Sequence, residues 1–200
     1  MSPNSDQFGA KPAVLRCARC GKFVDWDDAQ VQVVCACKPR IDLPPVLVRE
    51  ATEADRRAAR ALFERDFGRT KIVAFGEIID IEEMPALVAV RHHEPSGALA
   101  YRLVGDALHI AALATDPMWQ RSGVGGHLVA EAELLANRLS LARIVVATTN
   151  DNLPALYFYQ RRGYRLTALV VDSITAHTRE AFAGFAGIPV RDEVRLEKRL

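Results

Sequence analysis

The stretch QRSGVGG at residues 120–126 constrains the fold of this chain most strongly, because it separates two segments of different periodicity. Residues 108–115 before it form a mostly apolar run of strand length. After it, apolar residues recur at helical spacing, at Leu128, Val129, Ala132, Leu135, Ala136 and Leu139. The sequence therefore predicts a strand, a glycine-rich turn and an amphipathic helix in that order.

A glycine-rich turn at the start of a helix is suited to holding an anion. Glycine lets the backbone approach a ligand closely, and the free N–H groups of the first helical turn attract negative charge. Arg121 adds a charged donor to the same turn. The G-x-x-x-x-G-K-[ST] pattern is absent, and the G-x-G-x-x-G pattern fails because Leu128 stands where glycine is needed. A tight turn that needs glycine only for packing is the alternative interpretation.

A second pattern, NLPALYFYQRRGY, occupies residues 152–164 and predicts a short helix, with Asn152 or a nearby residue as its cap and Gly163 as its stop. Asn152, Ala155 and Tyr159 are spaced i, i+3 and i+7, so they share one face of that helix. Ala155 leaves room for a ligand along this face, and the Tyr159 phenol is able to donate a proton. The alternative is that Tyr159, like Phe158, only packs in the core.

The two patterns together resemble the GNAT superfamily of acetyl-CoA-dependent N-acetyltransferases. The resemblance is carried by Gln120-x-x-Gly123-x-Gly125 and by Asn152-x-x-Ala155-x-x-x-Tyr159-x-x-x-Gly163-Tyr164, and it covers about residues 46–164. The residues REAT at 49–52 are similar to the opening of such a domain. Thr52, with Asp55 three residues on, also resembles a capping box at the start of a helix. The resemblance implies an α/β fold whose mixed, mostly antiparallel central sheet is flanked by helices.

The resemblance also implies roles for individual residues in binding the donor. Backbone groups at the end of the preceding strand would bind the pantetheine arm, at Leu113, Ala114 and Thr115. The glycine-rich turn would hold the pyrophosphate through Gln120, Arg121, Ser122, Gly123, Val124, Gly125 and Gly126. Asn152 and Ala155 would line the other side of the arm, and Tyr159 would protonate the departing thiolate.

Elementary acid–base chemistry is consistent with such a reaction. Phenol and thiol have reference pKa values of about 10 and 8.5, which are close enough for proton transfer. An acceptor amine with a pKa of about 10.4 is neutral in only about one molecule in 2,500 at pH 7, so a base must remove its proton. No G-x-S-x-G elbow or other nucleophile motif is present, which favours direct attack in a ternary complex.

The general base is not defined by a motif. Four carboxylates lie within seven residues, at Glu77, Asp80, Glu82 and Glu83. An acidic rim would attract a cationic amine, and Glu77 and Asp80 are the candidates for the base. A solvated helix face is the alternative for this segment. His109, Asp192 and Glu193 are further candidates.

The four cysteines form a separate feature, since Cys17, Cys20, Cys35 and Cys37 fall within twenty-one residues. This clustering in a chain predicted to be cytoplasmic favours a zinc site over disulfides. The pair C-x-C departs from the usual C-x-x-C of zinc-ribbon modules. Four thiolate ligands would leave no open coordination position, so the zinc would be structural. Four free thiols in a flexible extension are the alternative.

These features predict four regions along the 200 residues. They are a disordered tail at 1–13, a zinc-ribbon-like module at 14–40, a proline-containing linker at 41–45 and an acetyltransferase-like domain at 46–200. The net charge of +1 makes no case for binding nucleic acid or an anionic membrane. A polar N-terminus without a signal peptide, and the absence of an eighteen-residue apolar run, predict a cytoplasmic protein that does not span a membrane.

The sequence thus favours an acetyl-CoA-dependent N-acetyltransferase with a zinc-bearing N-terminal extension. The acceptor is an amine, either a small molecule or a protein, and the oligomeric state is open. The alternative function is a non-catalytic protein that binds CoA or a partner, with the zinc module as its interaction surface.

Overall fold

The structure of the protein is a computed structural model that describes residues 25–27, 32–34, 46–178 and 182–200. The chain divides into two compact units, Met1–Leu43 and Pro44–Leu200. In the first unit, strands β1 (Asp25–Asp27) and β2 (Gln32–Val34) form an antiparallel pair.

The second unit contains the remaining helices and strands. The helices are α1 (Glu53–Phe67), α2 (Val124–Arg138), α3 (Leu153–Gln160) and α4 (Thr175–Thr178), with single 3-10 turns at Pro117–Trp119 and Phe185–Gly187. The strands are β3 (Leu47–Glu50), β4 (Lys71–Ala74), β5 (Glu77–Asp80), β6 (Ala86–Arg91), β7 (Glu94–Val104), β8 (Ala107–Thr115), β9 (Arg143–Thr149), β10 (Arg165–Val170), β11 (Phe182–Ala183), β12 (Pro189–Val190) and β13 (Glu193–Arg199). No described helix is long and apolar enough to cross a membrane.

Seven strands form the central sheet, in the order β10-β13-β9-β8-β7-β6-β3. Every neighbouring pair is antiparallel except β8 and β9, which are parallel and are joined through α2. The expected mixed, mostly antiparallel sheet is confirmed. The β8-α2-β9 crossover is the only one of its kind in the described sheet, and it places the glycine-rich turn at the end of β8.

A β-bulge at Ala111 changes the side to which β8 residues point. Ala100 of β7 pairs with Ala112, while Tyr101 pairs with Ile110, so Ala111 is an extra residue on β8. Before the bulge, Leu108 and Ile110 pack on the α2 side. After it, the alternation is shifted by one residue, and Leu113 packs on the α2 side instead.

The sheet separates two apolar cores. On one face, α2 packs through Val124, Leu128 and Ala132 against strand residues that include Leu99 and Ile144. On the other face, helix α1 and the β4–β5 hairpin cover the alanine-rich centre of the sheet. The helix and the hairpin segment contribute Ala59, Leu62, Phe63, Ile79 and Ile81 to this core, and the sheet contributes Ala98, Ala100, Ala112 and Ala114. Small residues in the strands let α1 approach the sheet closely.

Helix α1 begins with the predicted capping box. Thr52 is the N-cap, and its hydroxyl and N–H both donate to the carboxylate of Asp55, at 2.6 and 2.7 Å. Arg49 forms an ion pair with the same carboxylate at 2.5 Å. These contacts hold the pKa of Asp55 far below its ordinary value, because the Arg49 guanidinium and the Thr52 donors favour the ionised form. Gly68 ends the helix in the left-handed region at φ 72°.

The segment that carries the candidate bases is not the solvated helix face considered as an alternative. Strands β4 and β5 form a hairpin whose turn contains Phe75 and Gly76, both at positive φ. Glu77 and Asp80 are the first and last residues of β5, and Glu82 and Glu83 follow in a turn. Isoleucines at 78 and 79 carry no periodicity that distinguishes strand from helix, so this hairpin was not predicted.

Candidate active site

The parallel strands β8 and β9 are paired only over their first halves. Residues 107–110 of β8 pair with residues 143–146 of β9, and no pairing joins the rest of these two strands. Yet β8 continues to Thr115 and β9 to Thr149. The two strands therefore diverge immediately after Ile110, at the bulge, and open a gap in the middle of the sheet.

Leu113 directs its backbone polar groups toward this gap. The Asp116 N–H donates to the Ser96 carbonyl of β7 at 2.9 Å, which makes Asp116 and Ser96 a hydrogen-bonded pair. Hydrogen-bonding directions alternate along a strand, so Ala114 also faces β7 while Leu113 and Thr115 face the opposite side. The Thr115 carbonyl accepts from Arg65 at 2.7 Å. Of the expected arm-binding residues, Leu113 has the orientation best suited to a ligand in the gap.

The glycine-rich turn follows the end of β8 and leads into α2. The 3-10 turn Pro117–Trp119 is capped by Asp116, whose carboxylate accepts from the Met118 N–H at 2.8 Å. Arg121 and Gly123 then adopt positive φ of 61° and 95°, and Gly123 is the N-cap of α2. Among the described residues, no side chain caps this end of the helix and no acidic residue lies in its first turn.

A buried arginine contacts the glycine-rich turn and the 3-10 turn before it. Arg91, only 4% exposed, donates through Nη2 to the Ser122 carbonyl at 3.3 Å, and its guanidinium lies 4.8 Å from the centroid of the Trp119 ring. The Ser122 hydroxyl donates to the Trp119 carbonyl at 2.5 Å. Ser122 therefore stabilises the turn itself. Its hydroxyl is thereby engaged within the turn.

Three elements meet at Gly125, in the first turn of α2. A Cβ atom placed on Gly125 would lie 3.7 Å from Leu113 Cδ2 of β8 and 3.5 Å from Phe158 Cζ of α3. The end of β8 and the glycine-rich turn, which both carry expected cofactor residues, are therefore neighbours of α3. Phe158 was expected only to pack in the core, but it faces the glycine-rich turn.

Arg162 follows α3 and also reaches the first turn of α2. A Cβ atom on Gly126 would lie 2.7 Å from Arg162 Nη2. The guanidinium stacks on the Phe158 ring with its Cζ 3.7 Å from the centroid, and Nη1 donates to the Phe158 carbonyl at 3.0 Å. Partial burial lowers the pKa of Arg162. Sequence reasoning missed this residue, although the spacing of four from Phe158 on a helix indicates such a cation–π pair.

Helix α3 begins as predicted. The Asn152 side chain accepts from the Ala155 N–H at 3.2 Å, and Pro154 lies in the first turn. This bond uses the Asn152 carbonyl oxygen, so the side chain has its amide group left for a ligand. Ala155 is partly buried against the core. Gly163, at φ 85°, follows the end of the helix and turns the chain into β10.

Tyr159 lies inside the core on the α2 side of the sheet. It is 4% exposed, and its ring contacts Phe158 and Tyr164 edge-on, with centroids 5.0 and 5.3 Å away. Burial raises the pKa of Tyr159 well above its ordinary value. The phenol therefore stays protonated throughout the physiological pH range, as a proton donor requires, and its pKa lies above the reference value of about 10 for a free phenol.

Residues 57–164 match the acetyltransferase (GNAT) family, and this range contains the gap, the glycine-rich turn and α3. The chain belongs to the GNAT acetyltransferase family. A relative supports this: the uncharacterized protein YxbD of Bacillus subtilis is 32% identical over 145 residues, which are 70% of this chain and 90% of that protein.

Solved GNAT-fold structures resemble the chain over most of its length. An IAA acetyltransferase from Bacillus cereus superimposes with a TM-score of 0.64 at 21% identity, covering 78% of this chain and all (100%) of that one. A Bacillus subtilis acetyltransferase in complex with CoA gives a TM-score of 0.60 at 23% identity, covering 79% and 99%. These likenesses concern the fold.

The candidate bases of this GNAT domain lie away from the glycine-rich turn. Glu77 forms an ion pair with Arg102 at 2.7 Å, and Asp80 accepts from the Glu82 N–H at 3.2 Å. Arg102 is the cross-strand neighbour of His109, which precedes Leu113 by four residues, or about 13 Å along an extended strand. Glu77 therefore lies near the half of β8 that pairs with β9.

His109 belongs to the same face as Glu77. Its ring lies 4.5 Å from that of Phe75, at the tip of the β4–β5 hairpin. Burial, followed by the charges of Arg102, Arg143 and Arg195, lowers the pKa of His109, so the ring is neutral at pH 7. His109 thus packs beneath the hairpin, on the face opposite α2.

The two C-terminal carboxylates considered as bases are structural neighbours of this hairpin and of the last loop. Glu193, 1% exposed, accepts from Arg195 Nε at 2.6 Å and from the Gly76 N–H at 3.2 Å. Asp192 accepts from the Asp172 N–H at 2.8 Å. Both carboxylates have hydrogen-bonding roles in holding chain segments together.

The four cysteines, Cys17, Cys20, Cys35 and Cys37, lie outside the described residues. Within the described ranges, no group of three or more His, Cys, Asp or Glu side chains is arranged to hold a metal ion.

Proposed function

We propose that this GNAT protein transfers an acetyl group from acetyl-CoA to a primary amine by direct attack in a ternary complex. The observation that carries the proposal is the gap between β8 and β9, which begins at the Ala111 bulge and leads to the uncapped N-terminus of α2. A gap flanked by an unpaired strand segment suits an amide-containing chain, and an uncapped helix N-terminus suits a diphosphate. CoA carries both groups.

In this proposal the donor lies along three elements. The pantetheine arm lies along Leu113, Ala114 and Thr115, and Leu113 contributes the backbone groups that face the gap. Asn152 and Ala155 line the opposite side. The turn holds the pyrophosphate through its N–H groups, at Gln120, Arg121, Ser122, Gly123, Val124, Gly125 and Gly126. The Bacillus subtilis neighbour solved with CoA supports a CoA-type donor for this fold.

Tyr159 is the proposed general acid. Its buried phenol remains protonated at the pH of the reaction, and it lies one residue beyond Phe158, which contacts the glycine-rich turn. Protonating the sulfur as the C–S bond breaks would let CoA leave as the thiol, while the amine nitrogen forms the new amide bond.

Glu77 and Asp80 are the proposed bases, acting directly or through water. Glu77 is the more accessible, with 54% of its side chain exposed. Replacing a true base by its amide is expected to lower kcat/KM by about 100-fold, most strongly at low pH where amine deprotonation limits the rate. Glu77→Gln and Asp80→Asn, assayed from pH 6 to 9, test this. A loss below about threefold at every pH would remove that residue from the role.

The proposed function is tested by binding and turnover measured separately. Isothermal titration is expected to give a micromolar or tighter Kd for acetyl-CoA, and a panel of amines assayed by CoA release is expected to contain at least one substrate. No binding of acetyl-CoA would refute the proposal. Binding without turnover across small amines and peptides would instead favour the non-catalytic alternative.

We also propose that residues 14–40 form a structural zinc site with Cys17, Cys20, Cys35 and Cys37 as ligands, joined by residues 41–45 to a catalytic domain at 46–200. Asp25 pairs with Val34, so the chain enters and leaves the β1–β2 hairpin at the same end, and this supports a site formed by cysteines on both sides of it. Metal analysis of protein purified without chelator is expected to find about one zinc per chain. A content near zero would refute the site.

A further inference from the structure

Arg162 is held against the first turn of α2 by contacts that leave part of its guanidinium available. Stacking on Phe158 and the bond from Nη1 to the Phe158 carbonyl fix the group. Its Nη2 points at Gly126, where a Cβ atom would lie only 2.7 Å away. Glycine at position 126 therefore admits the guanidinium, and an alanine there would push it aside.

The contact brings together two positive groups. The N-terminus of α2 carries the positive end of the helix dipole and its free N–H groups. Within the described residues, no acidic side chain lies in that turn and no carboxylate forms an ion pair with Arg162. The nearby Glu133 is already bonded to Lys198 at 2.7 Å and to the Tyr164 hydroxyl at 3.2 Å. Two positive groups in contact repel each other, and an anion bound beside both of them would relieve that repulsion.

We propose that Arg162 is a phosphate ligand of the donor, binding the diphosphate of CoA together with the N–H groups at the start of α2. This inference rests on the proposed function, because the diphosphate is that of acetyl-CoA. The planar guanidinium, already oriented by Phe158, retains Nε and Nη2 for a paired contact with phosphate oxygens. Gly126 serves this contact by making room for the arginine.

The first test compares Arg162→Gln with the matched control Arg161→Gln. Arg161 is exposed and donates to the Tyr157 hydroxyl at 2.9 Å, so its replacement makes the same charge change one residue away. Calorimetry with CoA and 3′-dephospho-CoA is expected to show losses of about 10- to 100-fold for both ligands in Arg162→Gln. Arg161→Gln is expected to stay within about twofold of wild type.

Two results would overturn the assignment. Affinity of Arg162→Gln within about twofold of wild type for both ligands would remove the contact. A loss confined to CoA would assign Arg162 to the 3′-phosphate and contradict the diphosphate contact. If the wild type itself does not bind CoA, the proposed function fails as well, so the two failures are distinguishable.

The second test separates phosphate binding from a structural role. Acetyl-pantetheine carries no phosphate, so kcat/KM with this truncated donor is expected to be equal in wild type and Arg162→Gln. Gly126→Ala adds a good helix former yet displaces the guanidinium, so it is expected to keep thermal stability while weakening CoA binding. In the double variant the loss is expected to be no larger than in Arg162→Gln alone. Losses that multiply, or an equal loss with acetyl-pantetheine, would overturn the proposal.

Discussion

Replacing Tyr159 by phenylalanine isolates the proposed proton donor, because the structure holds the ring independently of the hydroxyl. The ring is 4% exposed and keeps its edge-on contacts with Phe158 and Tyr164 in the variant. We therefore expect the free energy of unfolding to change by less than about 1 kcal/mol, the contribution of one hydrogen bond. The Kd for acetyl-CoA is expected to stay within about twofold of wild type.

The expected loss in kcat follows from the environment of the phenol. General acids contribute about 10²- to 10⁴-fold, and they do so best when their pKa is near the operating pH. Burial raises the pKa of Tyr159, so the gap to a thiol pKa of about 8.5 is larger than the reference gap of about 1.5 units. Proton transfer to the departing thiolate is less favourable as a result, so the contribution of Tyr159 is expected at the low end of that range. Tyr159→Phe should therefore lower kcat by about 100-fold.

Tyr164→Phe is the matched control, since Tyr164 is also a buried phenol of the same aromatic group. Its hydroxyl donates to Glu133 at 3.2 Å, so removing it is expected to cost about 1–2 kcal/mol in urea unfolding and to leave kcat unchanged. Steady-state assays of CoA release, with Kd measured by calorimetry, provide the comparison. If Tyr159→Phe keeps kcat within about threefold of wild type, Tyr159 is a core residue and the acid is another group.

Three further results are expected from the fold. Asp55→Asn should lower the free energy of unfolding by about 1–2 kcal/mol at pH 7. Since the folded pKa of Asp55 is depressed, the stability that its carboxylate contributes is present above about pH 4 and is lost as the pH falls. A difference in unfolding free energy between wild type and Asp55→Asn that stays the same in urea at about pH 2 would contradict this. Gly97→Ala places a Cβ 2.7 Å from Val124 Cγ1 and 3.1 Å from the Ala114 carbonyl oxygen. This overpacking should lower the free energy of unfolding by about 1–3 kcal/mol, and an unchanged value would be inconsistent with the contact. Because burial keeps Tyr159 protonated, kcat should show no alkaline decline below about pH 10 that depends on this phenol, and a decline abolished by Tyr159→Phe would refute its raised pKa.

The features that were predicted correctly depend on neighbours in sequence. The Thr52–Asp55 capping box and the Asn152 cap are contacts over three residues, so residue types at fixed spacing identify them. The strand, turn and helix around the glycine-rich stretch follow from local periodicity in the same way. The mostly apolar run of β8 and the helical spacing of α2 leave little choice of structure.

The features that were missed depend on partners far apart in the chain. The β4–β5 hairpin gains its stability by covering alanines of the sheet with Ile79 and Ile81, which its own sequence does not show. The contact between Arg162 and Gly126 joins residues thirty-six positions apart through the meeting of α2 and α3. Packing, the alternative reason for glycine in this turn, also applies to two of these glycines, because Gly125 meets Phe158 of α3 and Gly126 meets Arg162, which follows α3.

The Ala111 bulge shows why the site depends on more than residue type. A strictly alternating strand from Leu108 would place Leu113 on the same face as His109, beneath the β4–β5 hairpin. The extra residue moves Leu113 to the α2 side, where it meets Gly125 and Phe158, and the pairing with β9 ends at the same point. Alanine at 111 and 112 has no preference that marks a bulge in the sequence. The bulge is visible only in the pairing of β8 with β7, where the extra residue coincides with the start of the gap between β8 and β9.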